Sequence, residues 1–116
     1  MTIEELRIRI DALDRQLVEL ISERARVVQV IGHLKADASL PVYEPDREKV
    51  IYANVHAANK GPLPDIELTH IYERIIDVMR ALQRNELASE RTARAALKEG
   101  GLPRHAAGAV PPETGN

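Results

Sequence analysis

Arg24 interrupts a row of aliphatic residues at a position where another aliphatic is expected. A guanidinium buried there without a partner is costly. It must therefore pair with a carboxylate across an interface, set the register of packed helices, or bind an anion. Lys35 follows eleven residues later. At 100° per residue it lies within roughly 20° of Arg24 and about 16 Å along a helix axis. Side chains of that length can bracket a small anion between them. A lysine near a helix C-terminus is also favoured by the macrodipole alone.

Arg7 poses a different problem. It lies about 25 Å from Arg24 along the same helix and is rotated by roughly 100°. One small molecule cannot touch both within one chain. Arg7 is either a solvated charge or a ligand-binding group at a second site, such as that of a partner subunit. Arg47 and Glu48 fall in the first turn of a later helix, where the dipole favours Glu48. Gln83 follows Met79 by one helical turn and is a neutral donor at the edge of an apolar face.

Other chemistries find little support. There is no cysteine, which excludes disulfides, thiolate metal sites and thiol nucleophiles. His33, His56, His70 and His105 lack HExxH or other metal-ligand spacing. No glycine-rich phosphate loop or G-x-S-x-G elbow occurs.

The elements that must carry these residues are helices. Thr2 and Glu5 form a capping box. Ile3, Leu6, Ile10, Leu13, Leu17, Leu20, Arg24, Val27, Ile31 and Leu34 then alternate in steps of three and four, a heptad seam. The helix predicted to run to about Ala36 is roughly 50 Å long, too long to pack within a small monomer. It should pair with itself or with a long later helix. A loop over 37–44 contains Pro41. Glu44 suits an N-cap and Pro45 the first helical position of a short helix ending near Asn59. Its apolar side is Val50, Ile51, Val55 and Ala58. Asn59-Lys60-Gly61-Pro62 is a stop, with Gly61 able to close the helix. Asp65 is the expected N-cap of a third helix with Leu68, Ile71, Tyr72, Ile75, Ile76, Met79 and Leu82 on one face. Helix can continue to about Lys98, and the Ala-, Gly- and Pro-rich remainder reads as a disordered tail.

The chain has 116 residues and a net charge of −2 with mixed signs. One all-α domain over 1–87 is expected, with 88–116 as a helical extension fading into the tail. Three Tyr and no Phe or Trp supply few large anchors for a monomeric core, so another chain is expected to complete it. The charge pattern gives no general attraction to nucleic acid. No apolar run approaches membrane-spanning length, and the N-terminus carries no signal-peptide pattern. A cytoplasmic location is the expectation.

Leu6-Arg7-x-x-Ile10-Asp11-x-x-Asp14, Leu20-x-x-Glu23-Arg24 and Ile31-Gly32-x-x-Lys35 together resemble the first helix of the all-helical chorismate mutases. Pro41-Val42-Tyr43-Glu44-Pro45-x-Arg47-Glu48 resembles their loop and second-helix start. Asn59-Lys60-Gly61-Pro62-Leu63 and Arg80-Ala81-Leu82-Gln83 resemble the next turn and the end of the site-bearing third helix. The match covers roughly residues 3–87 and rests on the order and spacing of the pieces.

The resemblance implies an intertwined homodimer with three helices per chain, acting on chorismate without any cofactor or metal. Arg7 from the partner chain, with Arg24 and Arg47 from the home chain, would hold the two substrate carboxylates, a task suited to the planar guanidinium fork. Lys35 and Gln83 would donate to the ether oxygen. Glu48 would accept from the ring hydroxyl, which the Glu44 backbone would also contact. The family often has a small or polar residue where Met79 stands, and Met79 cannot donate to a carboxylate.

Two other readings stay open on these residues. Isochorismate pyruvate lyase has a similar fold and a similar dianionic substrate; the loop around Tyr43 to Glu48 favours the mutase. Similar helical modules also occur joined to aromatic-pathway enzymes, so a regulatory domain with such an enzyme as partner is the non-catalytic alternative. On periodicity alone, a coiled-coil module or a three-helix DNA-binding domain also fits, the latter without a visible basic recognition helix.

Overall fold

The computed structural model describes residues 1–98, in which every regular element is helical. Helix α1 spans Ile3–Ala38, α2 spans Pro45–Ala58 and α3 spans Asp65–Lys98. The expected tail lies outside the described residues.

Local chemistry sets most of the ends. The Thr2 hydroxyl accepts from the Glu5 amide at 3.1 Å, and the Glu5 carboxylate accepts from the Thr2 amide at 2.7 Å. This reciprocal box satisfies two of the orphan donors at the start of α1. Ser39 closes α1 in the left-handed region at φ 57°, and its amide donates to the last-turn carbonyls. Glu44 occupies the N-cap position of α2, with Pro45 following, but its side chain makes no capping bond. Asn59 organises the next turn. Its side-chain amide donates to the Leu63 carbonyl and to Asp65 Oδ1, while its oxygen accepts from the Gly61 amide.

Three boundary details differ from expectation. Asp65 is the first residue of α3 rather than its N-cap, because its carboxylate is taken by Asn59. Gly61 adopts φ 76° inside the turn, whereas Asn59, in an extended conformation, ends α2. The half-buried side of α2 is Ile51, Tyr52 and Val55, with Val50 and Ala58 exposed.

Helices α1 and α2 both pack on α3. The contact face of α1 is Val28, Gly32 and Lys35, which meets Ile76, Met79 and Leu87 of α3. The heptad seam is a different stripe and stays uncovered: Leu13, Leu17 and Leu20 are 58%, 54% and 63% exposed. From Met1 to Glu23 every residue except Ala12 is exposed. A lone helix segment of this length is marginal in water, so its apolar side requires cover. The molecule extends over 66 × 34 × 16 Å, a flat and elongated shape.

Beyond the seam, α3 grips the end of α1. His33 faces two carboxylates, with Nε2 at 3.1 Å from Glu86 and Nδ1 at 2.8 Å from Glu90. Arg94 donates to the Ala36 carbonyl and pairs with Asp37. On the other side, the Thr69 hydroxyl donates to the Asp65 carbonyl, so His56 Nε2 is the donor in its 2.6 Å bond to Thr69.

Gly32 sets how closely α1 and α3 approach. A Cβ there would lie 3.2 Å from Glu86 Cβ and 3.8 Å from Gln83 Cα. Gly32→Val should therefore lower stability by roughly 1–3 kcal/mol, the scale of overpacking a tight contact. Gly32→Ala should stay near wild type, because about 0.8–1.0 kcal/mol of helix propensity offsets the smaller crowding. Thermal midpoints at one fixed protein concentration check this; a Val variant as stable as wild type would show that the helices can separate freely.

Candidate active site

A cavity of about 330 Å³ lies between α1, the following loop, α2 and α3. Helix α1 contributes Arg24, Val28 and Lys35; the loop and α2 contribute Glu44, Arg47 and Glu48; α3 contributes Met79, Arg80 and Gln83. Seven of the eight residues singled out in the sequence thus line one cavity. Arg7 is the exception. It projects from the uncovered part of α1, 70% exposed, and pairs with Glu4 at 3.2 Å.

Lys35 is the most buried charge in the cavity. It is 8% exposed, and its ammonium has three acceptors. Gln83 Oε1 lies at 2.9 Å, the Val42 carbonyl at 3.2 Å and Glu44 Oε1 at 3.2 Å. Three acceptors match the three N–H donors of a lysine. An ammonium cannot accept, so Gln83 must present its oxygen to Lys35, and its NH₂ group is left to donate elsewhere. Glu44 explains its missing cap here: its carboxylate reaches Lys35 instead. At 40% exposure it is the acceptor best placed to leave.

Glu48 belongs to a second ion pair. Its Oε2 accepts from Arg80 Nη2 at 2.5 Å, and both side chains are 21% exposed. Arg80 also lies over the Tyr43 ring, 5.0 Å from its centroid. The hydrogen bond to Glu48 raises the Arg80 pKa above its ordinary value, against the opposing effect of burial, so the group is permanently cationic. Burial, followed by the Glu73, Glu48 and Asp77 carboxylates, pushes the Tyr52 phenol up and keeps it neutral. Arg24 and Arg47 line the same cavity; among the described residues neither has an ion-pair partner.

Met79 is 5% exposed and forms apolar wall and core together, consistent with a thioether that cannot donate. Val28 and Ile51 also line the cavity, and the sequence reading gave them no role there. Arg80 was read only as part of a local resemblance. It stands one residue after Met79, where a helix charge ordinarily faces water, and its partner is 32 residues away. No group of three or more His, Asp or Glu among the described residues is arranged to hold a metal ion. No described helix is long and apolar enough to cross a membrane.

Comparison with known proteins defines the class. Residues 6–84 match chorismate mutase type II, and the chain belongs to that family. It is 36% identical over 86 residues to the bifunctional chorismate mutase/prephenate dehydratase of Aquifex aeolicus, covering 71% of this chain but only 24% of that protein. It is 30% identical over 84 residues to the chorismate mutase of Methanocaldococcus jannaschii, covering 72% of this chain and 85% of that one. The form II structure of the Thermus thermophilus chorismate mutase superimposes with a TM-score of 0.69 at 36% identity, over 71% of this chain and 93% of that structure.

Proposed function

We propose that this chain is a cytoplasmic, homodimeric chorismate mutase that converts chorismate to prephenate. The observation that carries the reading is the Lys35–Gln83 pair at the wall of a cavity that also holds two arginines without ion-pair partners among the described residues. The reaction is an intramolecular Claisen rearrangement. One C–O bond breaks as one C–C bond forms, with no nucleophile, redox step or obligatory proton transfer. The residues must hold a compact substrate conformer and stabilise negative charge growing on the ether oxygen.

Arg24 and Arg47 take the substrate carboxylates in forked hydrogen bonds. Lys35 turns one N–H to the ether oxygen as Glu44 gives way, and the free amide N–H of Gln83 donates beside it. Glu48 accepts from the ring hydroxyl, with the Glu44 backbone close to the same group. Met79 shapes the apolar wall. A second chain covers the exposed seam of α1 and brings its own Arg7 to the site. The bifunctional relatives, which join a mutase to a prephenate dehydratase, support association with another aromatic-pathway enzyme. The direct test is loss of chorismate absorbance with product identification. Prephenate supports the reading; salicylate and pyruvate formed from isochorismate, without prephenate from chorismate, would assign the chain to the lyases.

Three further outcomes follow from these roles. Lys35→Ala should reduce kcat by roughly a hundredfold to a thousandfold, as loss of an oxyanion donor does, with a smaller effect on KM. Near-normal turnover would remove Lys35 from the reaction.

Gln83→Glu tests the neighbouring donor. Glu retains the shape, but it can donate only while protonated. Its ordinary pKa is about 4.3; Lys35 and the arginines favour the charged form, while desolvation opposes it. Activity relative to wild type should therefore be greatest at low pH and fall as pH rises. Parallel kcat/KM profiles for the two proteins would withdraw the donor role of Gln83.

The borrowed arginine is tested by mixing. Arg7→Ala and Arg24→Ala chains should each be inactive. Co-refolded, each heterodimer contains one site lacking both substitutions, so part of the activity should return. Sedimentation should show a dimer at micromolar concentration, and a fully active monomer would refute the shared site.

A further inference from the structure

Arg80 is a charged cavity residue to which the proposed reaction gives no task. It is held from three directions. Glu48 Oε2 accepts from Nη2 at 2.5 Å, Asp77 Oδ1 lies 3.5 Å from Nη1, and the Tyr43 ring lies beneath the guanidinium. The contact with Glu48 links the first turn of α2 to the middle of α3. Its Nε is buried and has no hydrogen-bond partner among the described residues. The fork is held through Nη2 on Glu48 rather than through Nε.

The same geometry argues against Arg80 as a further carboxylate-binding arginine. Its Nη2 is occupied and its Nε is out of reach of a ligand, whereas Arg24 and Arg47 have no ion-pair partner among the described residues. Resting on the mutase reading, we infer that Arg80 is a positioning residue acting through Glu48. It fixes one oxygen of that carboxylate, so that the other, Oε1, is left to accept from the ring hydroxyl of the substrate. Tyr43 supports the guanidinium from below and limits its swing.

The test is a double-mutant cycle on kcat/KM for chorismate, using Arg80→Met, Glu48→Gln and the pair together. Arg80→Met alone should lose roughly tenfold, within the range of coupling between contacting residues. In the Glu48→Gln background the same change should cost little, because the group it positions has already lost its charge. Arg80→Lys should recover part of the loss by restoring a cation. Arg80→Gln carries the same cycle if circular dichroism shows that the Met variant does not fold. Equal losses in both backgrounds, or no loss from Arg80→Met, would overturn the role of Arg80 alone. A wild-type chain that fails to consume chorismate would overturn the mutase reading, and the role of Arg80 with it.

Discussion

A buried ammonium can exist only where each of its hydrogens meets an acceptor, and Lys35 imposes that condition on three separate parts of the chain. Gln83 must come from α3, Val42 from the loop and Glu44 from the start of α2. Leaving the charge unpaired would cost several kcal/mol, so the loop and both later helices are tied to one point on α1. The contact with Gln83 in turn depends on Gly32. One turn before Lys35, the absence of a side chain lets α3 close on α1. The same contact orients the Gln83 amide, because a lysine offers only donors. A packing detail thus decides which end of an amide faces the cavity.

The remainder of α1 obeys a different constraint. Its contact stripe with α3 begins at Val28, and the preceding segment has nearly all its side chains in water. Helical propensity alone holds such a segment weakly. The seam Leu13, Leu17, Leu20 continues through Val27 and Ile31, which reach the cavity rim. A chain covering the seam would therefore also meet the rim. In the proposed homodimer, covering the seam and completing the site would be one event, with Arg7 carried on the same exposed part of α1.

The periodicity of α1 was legible because steps of three and four hold over ten positions, nine of them aliphatic, and its start was legible because Thr2 and Glu5 are three residues apart. The packing face was not. Val28, Gly32 and Lys35 include one apolar side chain, one glycine and one charge, so no hydropathy pattern marks them. Asp65 failed as a cap because Asn59 competes for its carboxylate, a contact that depends on how the turn folds. The same limit applies within the cavity. Arg24 stood out by breaking an aliphatic row, whereas Arg80 broke no pattern, and its bond to Glu48 exists only after α2 packs on α3. Signals carried by spacing along one helix can be read from sequence; those made by two helices meeting require the fold.

The charges of the cavity divide by whether they are already satisfied. Lys35 is matched by Glu44 and Arg80 by Glu48. Both pairs are internally neutral, and each fixes a polar group at a defined place. Arg24 and Arg47 remain, two positive charges on the wall with no ion-pair partner among the described residues. Arg24 is half-buried and Arg47 exposed, so their attraction for an anion grows as a bound ligand displaces the water around them. Two carboxylates on one small ligand would neutralise them, whereas a monoanion would leave one charge unmet. On the proposed roles, selection for a dianion would reside in Arg24 and Arg47, while the paired groups would act on the neutral oxygens between the carboxylates. Of the six charged side chains that line the cavity, four are thus joined in two ion pairs and two arginines are left over for a ligand.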